Sequence, residues 1–134
     1  MRAHYLIDTS AVFRLLRDGK VGWEAEIRAG VIAVCPAVEL EFLYSARSVA
    51  DRRRKSELLR HAFAWVPMAD NAFQRAAEVQ QMLTEIGHHR SAKTVDLVIA
   101  ATAERHRLTV LTDDRDFGAI ARVTGQPVAA IAAQ

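Results

Sequence analysis

The chain has 134 residues, the size of one domain, and its 51% of hydrophobic residues exclude an intrinsically disordered protein. Its 18 basic and 16 acidic residues leave a formal net charge of only +2, so the overall charge predicts no particular partner. The single cysteine, Cys35, excludes an internal disulfide and a cysteine-based zinc site.

Strand and helix patterns alternate along the chain. Short apolar runs predict strands at residues 5–7, 31–34, 108–112 and 127–131, with residues 66–68 as a candidate edge strand. Helical periodicity fills the intervals, with Thr9 or Ser10, Asp70 and Thr94 as expected N-caps. The predicted helices cover residues 11–16, 23–28, 36–50, 52–64, 71–86, 95–106 and part of 113–122.

This alternation predicts an α/β fold, a three-layer α/β/α sandwich around a central parallel sheet of four to five strands. We expect one domain over residues 1–134. Neither a signal-peptide pattern nor a membrane-length apolar stretch is visible, so we expect a cytoplasmic protein without membrane association. Ligands of such sheets bind at the carboxyl ends of the strands, where the strand order reverses.

Acidic residues directly follow two of the predicted strands. Asp8 comes after the strand at residues 5–7, and Asp113, Asp114 and Asp116 come after the strand at residues 108–112. Since carboxyl ends of parallel strands share one edge of the sheet, these acids are candidates for one site.

Two largely apolar helices also carry acids. Asp96 lies in the first turn of the helix at residues 95–106, where the helix dipole favours a carboxylate but apolar neighbours surround it. In the helix at residues 36–50, Glu39 and Glu41 point to different faces, and periodicity does not choose between them. A carboxylate in a buried helix needs a partner, because an unpaired buried ion is strongly unfavourable.

Carboxylates gathered in one pocket repel one another unless a cation lies between them. Mg²⁺ takes oxygen ligands and keeps several waters, whereas zinc prefers His or Cys. His88 and His89 are adjacent in a predicted loop, which is a poor spacing for a zinc site. The acids therefore favour a magnesium site and phosphodiester hydrolysis by metal-activated water.

Four stretches, in order and spread over nearly the whole chain, carry a family resemblance. They are LIDTSA at residues 6–11, EFLYSAR at 41–47, DLVIAATA at 96–103 and LTDDRDF at 111–117. Together they resemble the PIN-domain ribonucleases, and more narrowly the VapC-type toxins of bacterial type II toxin–antitoxin pairs.

The resemblance implies a role for individual residues. The acidic quartet would be Asp8, Glu41, Asp96 and Asp114, with Asp116 as a fifth candidate ligand. Thr9, Ser10 or Thr112 would orient water or the ligands. Asp113 adds a negative charge where relatives often have a neutral or basic residue, which leaves open which of the three acids after the strand reaches the metal.

The resemblance also implies cofactors and partners. Members of this family cleave RNA endonucleolytically, need Mg²⁺ or Mn²⁺ and usually form homodimers. A cognate VapB-type antitoxin silences them, and its tail typically lies in the active-site groove, often offering an arginine to the acids.

A basic stretch begins at the last residue of the second motif and comprises Arg47, Arg52, Arg53, Arg54 and Lys55. Such a run is typical of a solvated helix face, and it also suits contact with RNA phosphates.

Two other functions compete with the nuclease. A catalytically silent PIN-like module would act by binding protein alone, although the presence of all the acids argues against it. A phosphatase using Asp8 as phospho-acceptor would need a second aspartate two residues later, where Ser10 stands.

Overall fold

The computed structural model describes residues 2–19 and 22–133, so the predicted domain limits, residues 1 and 134, lie outside the described residues. In this part of the chain five strands and seven α-helices alternate, and a short 3₁₀ helix, Ile131–Ala133, follows the last strand. They are β1 Tyr5–Ile7, α1 Thr9–Asp18, α2 Glu24–Ala29, β2 Ile32–Val34, α3 Pro36–Leu43, α4 Val49–Ala62, β3 Ala64–Trp65, α5 Ala72–Glu85, α6 Thr94–His106, β4 Thr109–Thr112, α7 Asp116–Thr124 and β5 Val128–Ala130.

The five strands form one parallel sheet in the order β3-β2-β1-β4-β5, which confirms the predicted α/β class. β1 is central and pairs with β2 on one side and with β4 on the other. Right-handed crossovers that run in opposite directions from a central strand place their helices on opposite faces of the sheet. The strand order reverses between β1 and β4, where Ile7 is in register with Leu111.

The core lies on both faces of this sheet. β2 is buried along its whole length, as a strand covered on two faces should be. α6 is buried nearly all round, from Asp96 to Ala103, as its apolar sequence predicts. Within the described residues, no helix is long and apolar enough to span a membrane.

The predicted helix at residues 36–50 is wrong, because the chain breaks between α3 and α4. The Ser45 hydroxyl donates to the Phe42 carbonyl at 2.7 Å, just after α3 ends. Ser48 then caps α4, since its side chain accepts the Asp51 N–H at 3.0 Å. Polar side chains that bond nearby backbone compete with the helix and end it.

The predicted N-caps are also wrong. Asp8, rather than Thr9 or Ser10, caps α1 and accepts the Ala11 N–H. α5 is preceded by Asn71 instead of Asp70, and α6 begins at Thr94 itself. The edge strand lies at Ala64–Trp65, two residues before the predicted position.

Candidate metal centre

Asp8 is buried at the carboxyl end of β1, with only 3% of its surface exposed. Its Oδ1 accepts the Ala11 N–H at 2.9 Å and the Ser10 hydroxyl at 2.8 Å. Its Oδ2 accepts the Thr112 hydroxyl at 2.6 Å, across the β1–β4 junction. These donors hold the carboxylate in one orientation at the point where the strand order reverses.

Burial raises the pKa of Asp8 to about 6. The hydrogen bonds from Thr112, Ala11 and Ser10 lower this pKa, and the negative charge of Asp114 raises it further. Burial changes this pKa more than the three hydrogen bonds do, so the ionised form of Asp8 is destabilised. A nearby cation would offset this destabilisation.

Asp96 is the second buried carboxylate, 7% exposed in the first turn of α6. Its Oδ2 accepts the Lys93 N–H at 3.1 Å. Burial raises the pKa of Asp96 to about 6, and the charges of Asp114, Asp116 and Asp8 add to the shift. Asp96 therefore lies close enough to these three acids for their charges to act on it, and we call the four carboxylates together the acidic pocket.

Glu41 adjoins this pocket and Glu39 does not. The Thr9 hydroxyl, directly after Asp8, donates to Glu41 Oε1. Glu39 instead lines a separate cavity with Arg60 and Trp65. The structure therefore distinguishes two glutamates that periodicity could not.

The three acids after β4 point to different partners. Asp113 Oδ1 accepts from Arg14 Nη1 at 2.9 Å, and Arg17 lies 3.9 Å from its Oδ2. Asp114 and Asp116 instead raise the pKa of Asp96 by their charge. The Asp116 N–H donates to Asp114 Oδ1 at 2.9 Å, which ties these two together.

The acids of the pocket have no ion-pair partner in the described part of the chain. Within residues 2–19 and 22–133, no ion pair involves any of the five acids Asp8, Glu41, Asp96, Asp114 and Asp116. Over the same residues, no three His, Cys, Asp or Glu side chains are arranged as a ready-made metal site. Oxygen donors with two buried carboxylates fit Mg²⁺, which binds through one or two carboxylates and keeps waters for its other positions.

The basic stretch divides into two parts. The ammonium of Lys55 contacts Asp51 at 3.2 Å and the Ser45 hydroxyl at 2.9 Å, so it holds the turn between α3 and α4. Arg54 pairs with Asp51 at 3.0 Å. The remaining members, Arg47, Arg52 and Arg53, are exposed, and no ion pair involves them in the described chain.

Sequence reasoning missed Arg14. It lies four residues after Ser10 and four before Asp18, so one helix face carries all three. This spacing was the available signal for a cation beside the site, although it does not reveal which acid that cation meets.

Known proteins resemble this chain along nearly its whole length. The fold and its acidic edge define an α/β protein with an acidic pocket at the switch point of a parallel sheet. A model of the PIN domain family matches residues 5–123, and the chain belongs to that family. Ribonuclease VapC21 of Mycobacterium tuberculosis is 42% identical over 129 residues, covering 96% of this chain and 94% of the relative.

Further comparisons agree with this assignment. Ribonuclease VapC18 of Mycobacterium tuberculosis is 38% identical over 126 residues, covering 92% of this chain and 91% of its own. A chain in the crystal structure of VapBC2 from Rickettsia felis, bound to a promoter DNA fragment, superposes with a TM-score of 0.77 at 14% identity. That match covers 97% of this chain and 98% of the other. The predicted VapC resemblance is confirmed.

Replacing Asp96 with Asn should stabilise the metal-free protein at neutral pH. The pKa of Asp96 lies at about 6 in the folded protein against an ordinary value of 3.8, so the folded state binds protons more tightly than the unfolded state. Stability is therefore lost as the pH rises through 6 and regained as it falls towards 3.8, by up to about 3 kcal/mol. Asn keeps an oxygen for the Lys93 N–H and removes the charge.

The measurement is urea unfolding in EDTA at about pH 8 and about pH 5, where the excess stability of Asp96→Asn should shrink at the lower pH. Asp70→Asn is the matched control, because Asp70 is exposed. A stability difference between wild type and Asp96→Asn that does not change with pH would contradict the explanation.

Proposed function

We propose that this protein is a Mg²⁺- or Mn²⁺-dependent endoribonuclease and the toxin of a type II toxin–antitoxin pair. The observation that carries the proposal is the pair of buried carboxylates, Asp8 and Asp96, which lie without an ion-pair partner in the described residues. The relatives named ribonuclease VapC support RNA as the substrate. A toxin acting on cellular RNA works in the cytoplasm, which we propose as its location.

Each side chain has a distinct part in this proposal. Asp8 and Asp96 would hold the ion, with Asp114 as a third carboxylate and Asp116 beside it. The bound ion would supply acidity to a water molecule and stabilise the leaving oxygen of the phosphodiester. The hydroxyls of Ser10 and Thr112 fix the two oxygens of Asp8.

Glu41 would act at the rim of the pocket. Its side chain is exposed, and Thr9 binds only its Oε1. The Oε2 atom would then accept a proton or a hydrogen bond from water or the RNA. A general base must lie within hydrogen-bond distance of the group whose proton it accepts.

Replacing Asp8 or Asp96 with Asn should abolish RNA cleavage while the fold persists. Each change removes a metal-binding charge. Asp96→Asn keeps an oxygen for the Lys93 N–H, and Asp8→Asn keeps one for the Ala11 N–H, while an NH₂ group replaces the oxygen that accepts from Thr112. Cleavage of a fluorescent RNA would be measured with Mg²⁺, with Mn²⁺ and with EDTA, and circular dichroism would check the fold. The loss should be at least about a hundredfold.

Asp70→Asn serves as the control for this change and should cleave like the wild type. RNA cleavage that persists in EDTA or in the Asp96→Asn variant would contradict the metal mechanism. A catalytically silent module that binds protein alone would also show no Mn²⁺ binding by calorimetry, which separates the two functions.

The proposed protein partner is a VapB-type antitoxin. The solved complexes of VapBC2 from Rickettsia felis and VapBC from Salmonella typhimurium contain chains with this fold. A basic side chain from the antitoxin would find acids in the pocket that no cation of the described chain neutralises.

A homodimer is the second proposed assembly, formed through an apolar groove of about 550 Å³ between α3, α5 and α6. Its lining includes Leu40, Tyr44 and Phe73, which are 66%, 92% and 72% exposed. The patch offers both a groove and protruding side chains, which a self-complementary twofold contact requires. Glu41 and Thr94 border it, so this interface would adjoin the acidic pocket.

Replacing Phe73 with Glu should convert dimers into monomers, because it puts a charge into the apolar contact. Light scattering after size-exclusion chromatography gives the mass of each species. Ile86→Glu is the matched control, since Ile86 is 45% exposed but does not line the groove. If the wild type is a dimer and Phe73→Glu has the same mass, the groove is not the dimer interface.

The exposed arginines of α4 are proposed to contact RNA phosphates. Charge reversal of Arg52 and Arg53 together should weaken RNA binding and lower the slope of log affinity against log salt by about one per lost phosphate contact. Fluorescence anisotropy in the Asp96→Asn background measures binding without cleavage. Arg28→Glu with Arg122→Glu changes the net charge equally, and an equal effect from this control would exclude a specific role for α4.

A further inference from the structure

Arg14 connects helix α1 to the loop that follows β4. Its Nη1 donates to Asp113 Oδ1 at 2.9 Å, and its Nε pairs with Asp18. The Arg14 and Asp113 side chains are only 34% and 23% exposed. One guanidinium thus binds two carboxylates on two elements, a geometry that suits the planar fork of arginine better than the single ammonium of lysine.

The loop held by Arg14 is also tied to Asp8. The Asp113 N–H donates to the Ser10 hydroxyl at 2.9 Å, and that hydroxyl donates to Asp8. The next amide, of Asp114, donates to the Thr112 hydroxyl at 3.2 Å, and this hydroxyl also donates to Asp8. The backbone of the loop is therefore fixed to the candidate metal ligand by two hydroxyl groups.

We propose that Arg14 is a positioning residue: it holds Asp113 outside the acidic pocket, so that Asp114 and Asp116 face Asp8 and Asp96. The metal-binding part of this inference rests on the proposed function. Three acids lie within four residues of this loop, and in the described chain only Asp113 among them pairs with an arginine.

The role concerns orientation more than stability. A partly exposed ion pair contributes little to the free energy of unfolding, because the solvent screens it. A guanidinium near a cation site also repels the cation, so by charge alone Arg14 should weaken metal binding. The two possible roles of Arg14 therefore predict opposite signs when its charge is removed.

The experiment titrates Mn²⁺ into wild-type, Arg14→Gln and Arg17→Gln proteins by calorimetry. Arg17 is the matched control, because it has the same charge, is 63% exposed and lies 3.9 Å from Asp113. Positioning predicts that Arg14→Gln weakens Mn²⁺ binding by about tenfold or more, while Arg17→Gln leaves it equal or slightly tighter. Equal or tighter binding by Arg14→Gln overturns the proposal.

A second measurement does not depend on the metal. In amide NMR spectra recorded with EDTA, Arg14→Gln should shift the resonances of Asp113, Asp114 and Asp116, and Arg17→Gln should not. Arg14→Lys should restore these shifts only in part, since an ammonium replaces the fork. If the wild type binds no Mn²⁺, the proposed function fails, while the spectra still decide whether Arg14 orients the loop. Unchanged spectra for Arg14→Gln would refute the positioning role of Arg14.

Discussion

The burial of two carboxylates without an ion-pair partner in the described residues is the constraint on which this structure depends. Asp8 and Asp96 are 3% and 7% exposed, and burial raises both pKa values to about 6. Desolvation of this size opposes folding in the metal-free protein. The rest of the core has to offset that unfavourable free energy. Asp8 directly follows the central strand β1, and Asp96 lies on α6, which is buried from Asp96 to Ala103.

Asp8 shows how the fold and the site use the same atoms. Its Oδ1 caps α1 through the Ala11 N–H, while Thr112 fixes its Oδ2 across the switch point. The cap sets the start of the helix, and the strand pairing sets its distance from β4. A rigid carboxylate therefore results from the ordinary requirements of a βαβ unit, without a dedicated loop.

Features that depend on local sequence patterns could be predicted from the sequence. Features that depend on contacts between elements could not. The placement of Asp8 and of the three acids after β4 at one edge followed from strand ends in a parallel sheet, and the buried helix around Asp96 followed from its apolar sequence. The choice of Glu41 over Glu39 needed a family resemblance, because it depends on contact with Thr9 from another element. The helix break at Ser45 and Ser48 was missed because side-chain bonds to backbone overrode the helical periodicity.

The positions of the arginines decide which acids near the site have an ion-pair partner. Arg14 and Arg17 lie against Asp113, the acid that does not act on Asp96, while the acids that do act on it receive no guanidinium from the described chain. A chain selected only for stability would pair the buried acids first, since unpaired buried charge is the most unfavourable. Under the proposed function, pairing Asp113 with arginine while leaving the other acids unpaired would favour a bound cation, and the folding free energy lost there would be regained when one binds.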